Sequence, residues 1–137
     1  MRLRLLQARL PDDPVRHEEV EAFAARLDLP VDAILPHDLL SDPLQPDVVL
    51  EGVDGVLIGG SGAFSVTDPY PWIRAWIDLL GHLVDRRAPL FASCFGFQGL
   101  VVALGGAVET DTARAEIGTF TLHLTPHAAD DPLFHAL

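Results

Sequence analysis

Short apolar runs alternate along this chain with stretches whose apolar residues recur every three or four positions. Leu3 to Leu10 is a brief apolar segment suited to a buried first strand, and Pro11-Asp12-Asp13-Pro14 breaks it. A helix is expected next. Asp13 can cap it, Pro14 suits its first turn, Glu18 and Glu19 favour its N-terminal dipole, and Val15, Val20, Phe23, Ala24 and Leu27 share one face. Val31 to Leu35 predicts a second strand, Pro36 to Pro46 a loop rich in Pro and Asp, and Val53 to Ile58 a third strand running into Gly59-Gly60-Ser61-Gly62. From Pro71 to Arg87 the residues Trp72, Ala75, Trp76, Leu79, Leu80 and Leu83 keep the spacing of a helix that covers a sheet. The apolar run Ala88 to Ala92 predicts a strand, and a glycine-rich apolar helix follows through Leu104 with Gly105-Gly106 as its stop. Further on, Ile117 to Leu124 alternates with the period of a strand, and Asp130 to Ala136 suits one turn of helix.

Repeated strand-helix alternation of this kind predicts an α/β fold, a mostly parallel, doubly wound sheet with helices on both faces. A length of 137 residues fits one domain, 1–137, with one core. No apolar stretch approaches the length that spans a bilayer, and no basic segment precedes a cleavage site, so the chain reads as soluble and cytoplasmic, with no membrane partner. Nine arginines, no lysine and twenty acids give a net charge of −11, which argues against a nucleic-acid partner because phosphate binding rests on clustered cations. His123 and His127 stand four apart, but Thr125-Pro126 between them is not helical, so no metal site is read from the histidines.

The single cysteine excludes an internal disulfide and draws attention to its setting, Ala92-Ser93-Cys94-Phe95-Gly96-Phe97-Gln98. A strand meeting a helix through small residues makes an elbow in which unpaired helix N–H groups point at the turn, so a thiol there feels a positive potential. In a doubly wound sheet, ligands bind beyond the carboxyl ends of the strands, which places Gly59-Gly60-Ser61-Gly62 on the same rim as Cys94 if their strands are neighbours. Glycine lets the backbone approach a ligand closely. The N–H groups of Gly60 and Phe95 could then form an oxyanion hole. The plainer alternatives are a buried small hydrophobe for Cys94 and a flexible turn or phosphate loop for the glycines, the latter weakened by the absence of a following Lys-Ser or Lys-Thr. Trp72 and Trp76 read as core.

The elbow resembles the GxCxGxQ motif of the class I, triad-type glutamine amidotransferases. Ile58-Gly59-Gly60-Ser61-Gly62-Ala63-Phe64-Ser65-Val66 followed by Pro71-Trp72-Ile73 looks like the oxyanion loop and next helix of their GMP-synthase-like branch. Leu104-Gly105-Gly106-Ala107-Val108, Glu116-Ile117-Gly118 and Asp131-Pro132-Leu133-Phe134 continue the likeness in family order. The resemblance implies a flavodoxin-like fold, incomplete at its C-terminal side in an apparently truncated domain, and a glutaminase half-reaction with no cofactor. It implies Cys94 as nucleophile, Gly60 and Phe95 as oxyanion donors, Gln98 as a contact to the glutamine substrate, and a synthetase partner that accepts the ammonia. Ala92 stands where the family has glycine, and Phe97 where this branch usually has histidine. The family's His-x-Glu segment matches nothing downstream of Cys94, so His123, His127 and His135 receive no catalytic role and weak turnover is expected. A PfpI-type cysteine hydrolase or deglycase shares the elbow, but Gln98 and the Ser61-to-Trp72 loop argue against it. A catalytically silent domain that binds glutamine or a partner is the reading from another class. Uncovered apolar helix faces would favour a homo-oligomer.

Overall fold

The structure is a computed structural model that describes residues 1–114, 118–121 and 123–132. Its centre is a four-stranded parallel sheet in the order β2-β1-β3-β4, with β1 at Leu3–Gln7, β2 at Ile34–Asp38, β3 at Gly55–Ile58 and β4 at Leu90–Ala92. Helices α1 (Val15–Arg26), α2 (Pro46–Leu50), α3 (Pro71–Asp85) and α4 (Phe95–Ala103) connect or follow the strands. This is the flavodoxin-like α/β architecture that the alternation of elements predicts. β1 leads to β2 on one side and the chain then crosses to β3 on the other, so the strand order reverses beside β1.

Side-chain alternation along the strands divides the core into two layers. Leu3, Leu5 and Leu57 face α1, where they meet Val20, Ala24 and Phe23. Leu6, Ala8, Val56 and Ile58 face the other way, toward Trp76, Leu79, Leu80 and Leu83 of α3 and Phe95 of α4. The start of α1 uses Asp13 as expected, since its Oδ1 accepts the Val15 N–H at 2.9 Å. Val15 and Leu27 are exposed, however, and a charged residue, Glu19, is buried together with Val20 and Ala24. In α3 the buried positions include Ile73, while Ala75 faces solvent.

The second strand starts three residues later than its sequence suggests. Val31–Ala33 forms a 3-10 turn and Pro36 lies inside β2. β2 is an edge strand, and an edge has an open side on which a missing N–H loses no ladder bond. The loop before Pro46 is correspondingly shorter, and α2 follows it without a sequence signal beyond proline at its start. After α4 the expected strand at Ile117 to Leu124 is absent from the described residues there, Gly118–Thr121, His123 and Leu124, all of which are exposed and have no ladder partner; Ile117 and Leu122 lie outside the described residues. Of the turn expected at Asp130 to Ala136, Asp130 closes a 3-10 segment at Pro126–Asp130, and the residues from Leu133 onward lie outside the description, as does Glu116.

Candidate active site

All the strands run the same way, so the residues that follow β1, β3 and β4 emerge on one rim. β3 pairs with both β1 and β4, which sets the diglycine turn between the two neighbouring exits. The Ser93 N–H donates to the Ile58 carbonyl at 2.9 Å, carrying the β3–β4 pairing one residue past the strand. Cys94 then reverses the chain with φ +50° and ψ −116°, and α4 begins at Phe95. This left-handed backbone is strained for any residue with a Cβ, and it leaves the side chain exposed at the head of the helix.

Three contacts hold the elbow against β3 and α3. Gly96 donates to the Gly59 carbonyl at 3.0 Å, and a methyl group at Gly96 would lie 2.6 Å from Ile58 Cγ2 and 2.8 Å from its carbonyl oxygen. Only glycine allows α4 that close to the strand end. Phe95 stacks on Trp76 with centroids 4.5 Å apart and planes 6° apart, so the core of α3 fixes the first residue of α4. Trp72 meets Phe95 at 6.3 Å and Phe64 at 5.1 Å, which ties the loop after the diglycine into the same aromatic cluster.

Gly60 lies beside the nucleophile candidate. A Cβ built on it would stand 3.7 Å from Cys94 Sγ. The N–H groups of Gly60 and Phe95 make no hydrogen bond among the described residues. Gln98 is exposed one turn along α4, its N–H donating to the Cys94 carbonyl at 3.0 Å, and Phe97 is 58% exposed next to it. Among the described residues no side chain is hydrogen-bonded to Cys94 Sγ. His123 and His127 are exposed, and His135 lies outside the description. The described residues hold no group of three or more His, Cys, Asp or Glu side chains placed to bind a metal ion.

Beneath the diglycine turn sits a buried polar cluster that the sequence reading does not single out. Glu19 accepts from Arg9 Nε at 3.1 Å, Arg9 Nη2 at 3.2 Å and Gln7 Nε2 at 3.0 Å. Arg9 Nη1 also donates to Asp13 at 3.3 Å, and the hydrogen bond to Glu19 raises the pKa of Arg9 above its ordinary value against the opposing effect of burial. Ser61 Oγ donates to the Ala8 carbonyl at 2.8 Å and accepts from the Phe64 N–H at 3.1 Å. A polar Gln7 inside an otherwise apolar strand is the sequence signal that could have pointed here.

The fold is shared with a solved glutamine amidotransferase from Methylobacillus flagellatus, which superposes with a TM-score of 0.63 over 93% of this chain at 26% identity. Over 55 residues, 40% of the chain, the sequence is 42% identical to the glutamine-hydrolyzing GMP synthase of Thermobifida fusca. In fold and in sequence the chain is similar to the class I glutamine amidotransferases of the GMP-synthase-like type. The chain spans 48% of the Methylobacillus structure, and its match covers 10% of the Thermobifida enzyme. No family model matches the sequence.

Proposed function

We propose that the chain supplies the glutaminase half-reaction of an amidotransferase. The Cys94 sulfur, as thiolate, attacks the carboxamide carbon of glutamine, and the N–H groups of Gly60 and Phe95 take the oxygen of the tetrahedral intermediate. The C–N bond breaks, ammonia leaves after taking up a proton, and water hydrolyses the thioester to glutamate and restores the thiol. Gln98 would contact the amino-acid end of the substrate. The ammonia would pass to a synthetase.

The observation that carries this reading is the strained, exposed Cys94 with Gly60 against its sulfur. Among the described residues no base is hydrogen-bonded to the sulfur, and chemistry without one is slow, because the leaving amine needs a proton and loss of one triad member removes several powers of ten in rate. Slow acylation by glutamine and little turnover are therefore the expected behaviour of these 137 residues alone.

The test is labelling with a glutamine-derived chloroketone, in which sulfur displaces chloride and the ketone oxygen takes the place of the carboxamide oxygen. Modification of Cys94 that free glutamine suppresses is expected, with little ammonia release. Glutamine binding seen by calorimetry without labelling would favour a non-catalytic binding domain. Absence of both would overturn the proposal.

A further inference from the structure

We infer that the buried Arg9–Glu19 pair is a positioning element that sets the Gly59–Gly60 turn against Cys94; this rests on the reading of that turn as an oxyanion loop. Glu19 is 8% exposed and Arg9 8%, both in the interior between α1 and the rim. Burying such a pair costs desolvation that apolar residues of similar volume would avoid, so its presence calls for a role other than stability. The geometry supplies one. Arg9 grips Glu19 through two nitrogens and Gln7 adds a third donor, which leaves the carboxylate one orientation. That orientation puts Oε1 directly against Gly59, where a methyl group would overlap it.

The turn is thus held from two sides. On one side Gly59 accepts from Gly96 of the elbow; on the other, Glu19 packs beneath Gly59 and Ser61 ties the following residue to Ala8 at the end of β1. Gly60, where a built Cβ would stand 3.7 Å from the sulfur, is the residue between these anchors. Glu19 does not reach the substrate position itself. It acts through the backbone it supports, and a displacement of that backbone by about 1 Å is enough to lower a rate on the order of 100-fold.

The experiment compares two reagents on Cys94 in the full chain. The chloroketone needs its ketone oxygen held by the turn, whereas iodoacetamide reacts with an exposed thiol without such help. Glu19→Gln is expected to slow chloroketone labelling about 10–100-fold and to leave the iodoacetamide rate within about twofold. Because Glu19→Gln leaves Arg9 with Asp13 as its one charged partner, the double variant Arg9→Met/Glu19→Leu, which removes the buried pair, provides a second test with the same expectation. Arg9→Lys, which keeps the charge, should restore part of the chloroketone rate. Amide hydrogen exchange supplies an independent readout: the amides of Gly96, which donates to the Gly59 carbonyl, and Phe64, which donates to Ser61 Oγ, should exchange faster in both variants while the amides of α3 do not.

Parallel loss with both reagents, or no loss with either, overturns the inference. If wild-type protein is not labelled by the chloroketone, the proposed function fails instead, and exchange at the Gly96 and Phe64 amides still decides the positioning role.

Discussion

At Cys94 the backbone carries φ +50° and ψ −116°, a conformation that costs a residue with a Cβ about 1–3 kcal/mol and costs glycine almost nothing. The strain is what points the thiol outward, away from the hydrocarbon that surrounds Phe95 and Trp76. Cys94→Gly should therefore be more stable than Cys94→Ala by about 1–3 kcal/mol in urea unfolding. Equal stabilities would mean that the elbow is relaxed. This position is legible in the sequence because a small-residue turn between an apolar strand and an apolar helix has few solutions. Glu19 is not. Its place at the start of α1 reads as ordinary dipole complementarity, and its partner Arg9 lies ten positions earlier, across a turn broken by two prolines. Pairing across such a turn leaves no periodic trace.

The elements show the same division between what spacing encodes and what tertiary contact decides. Helix α3 follows its apolar stripe closely, since five buried residues on one face outweigh any local preference. The start of β2 does not, because an edge strand is set by its register against β1, Leu3 opposite Ile34, and propensity at Val31 has no say in that pairing. Helix α4 is apolar all round, so spacing cannot tell which side faces in; its glycines do. A methyl at Gly99 would run into the Trp76 ring, which is fully buried and stacked on Phe95. Gly99→Ala gains about 1 kcal/mol of helix propensity yet should destabilise the protein by about 1–3 kcal/mol through overpacking, because the ring has nowhere to go. Gly81, mid-helix in α3, has nothing within 4 Å of its added methyl, so Gly81→Ala should instead stabilise by about 0.5–1 kcal/mol. Denaturant unfolding of the two variants separates the terms, and a Gly99→Ala protein as stable as wild type would show that α4 does not pack as described.

For the molecule as a whole, charge and apolar surface pull in opposite directions. The face of the sheet beyond α1 carries a groove of about 470 Å³ lined by Ala22, Phe23, Leu27, Leu57 and Phe91 together with Glu19 and Arg26, and Phe91 is 43% exposed. It lies on β4, which among the described residues has a strand neighbour on one side only. An open edge beside an apolar groove invites pairing with a second copy, as the uncovered faces of the sequence already suggest. A net charge of −11 on each copy opposes that approach, and its reach is about 10 Å at 0.1 M salt but about 3 Å at 1 M. Association should therefore rise with salt, the reverse of what an electrostatic interface would do. Light scattering across that salt range is expected to show a monomer at the low end and a larger mean mass at the high end. Phe91→Lys, which puts a charge on the edge strand, should hold the mass at the monomer value throughout. A monomer at every salt concentration in the wild-type chain would mean that the groove and the β4 edge are already protected, and the expectation of self-association would fall.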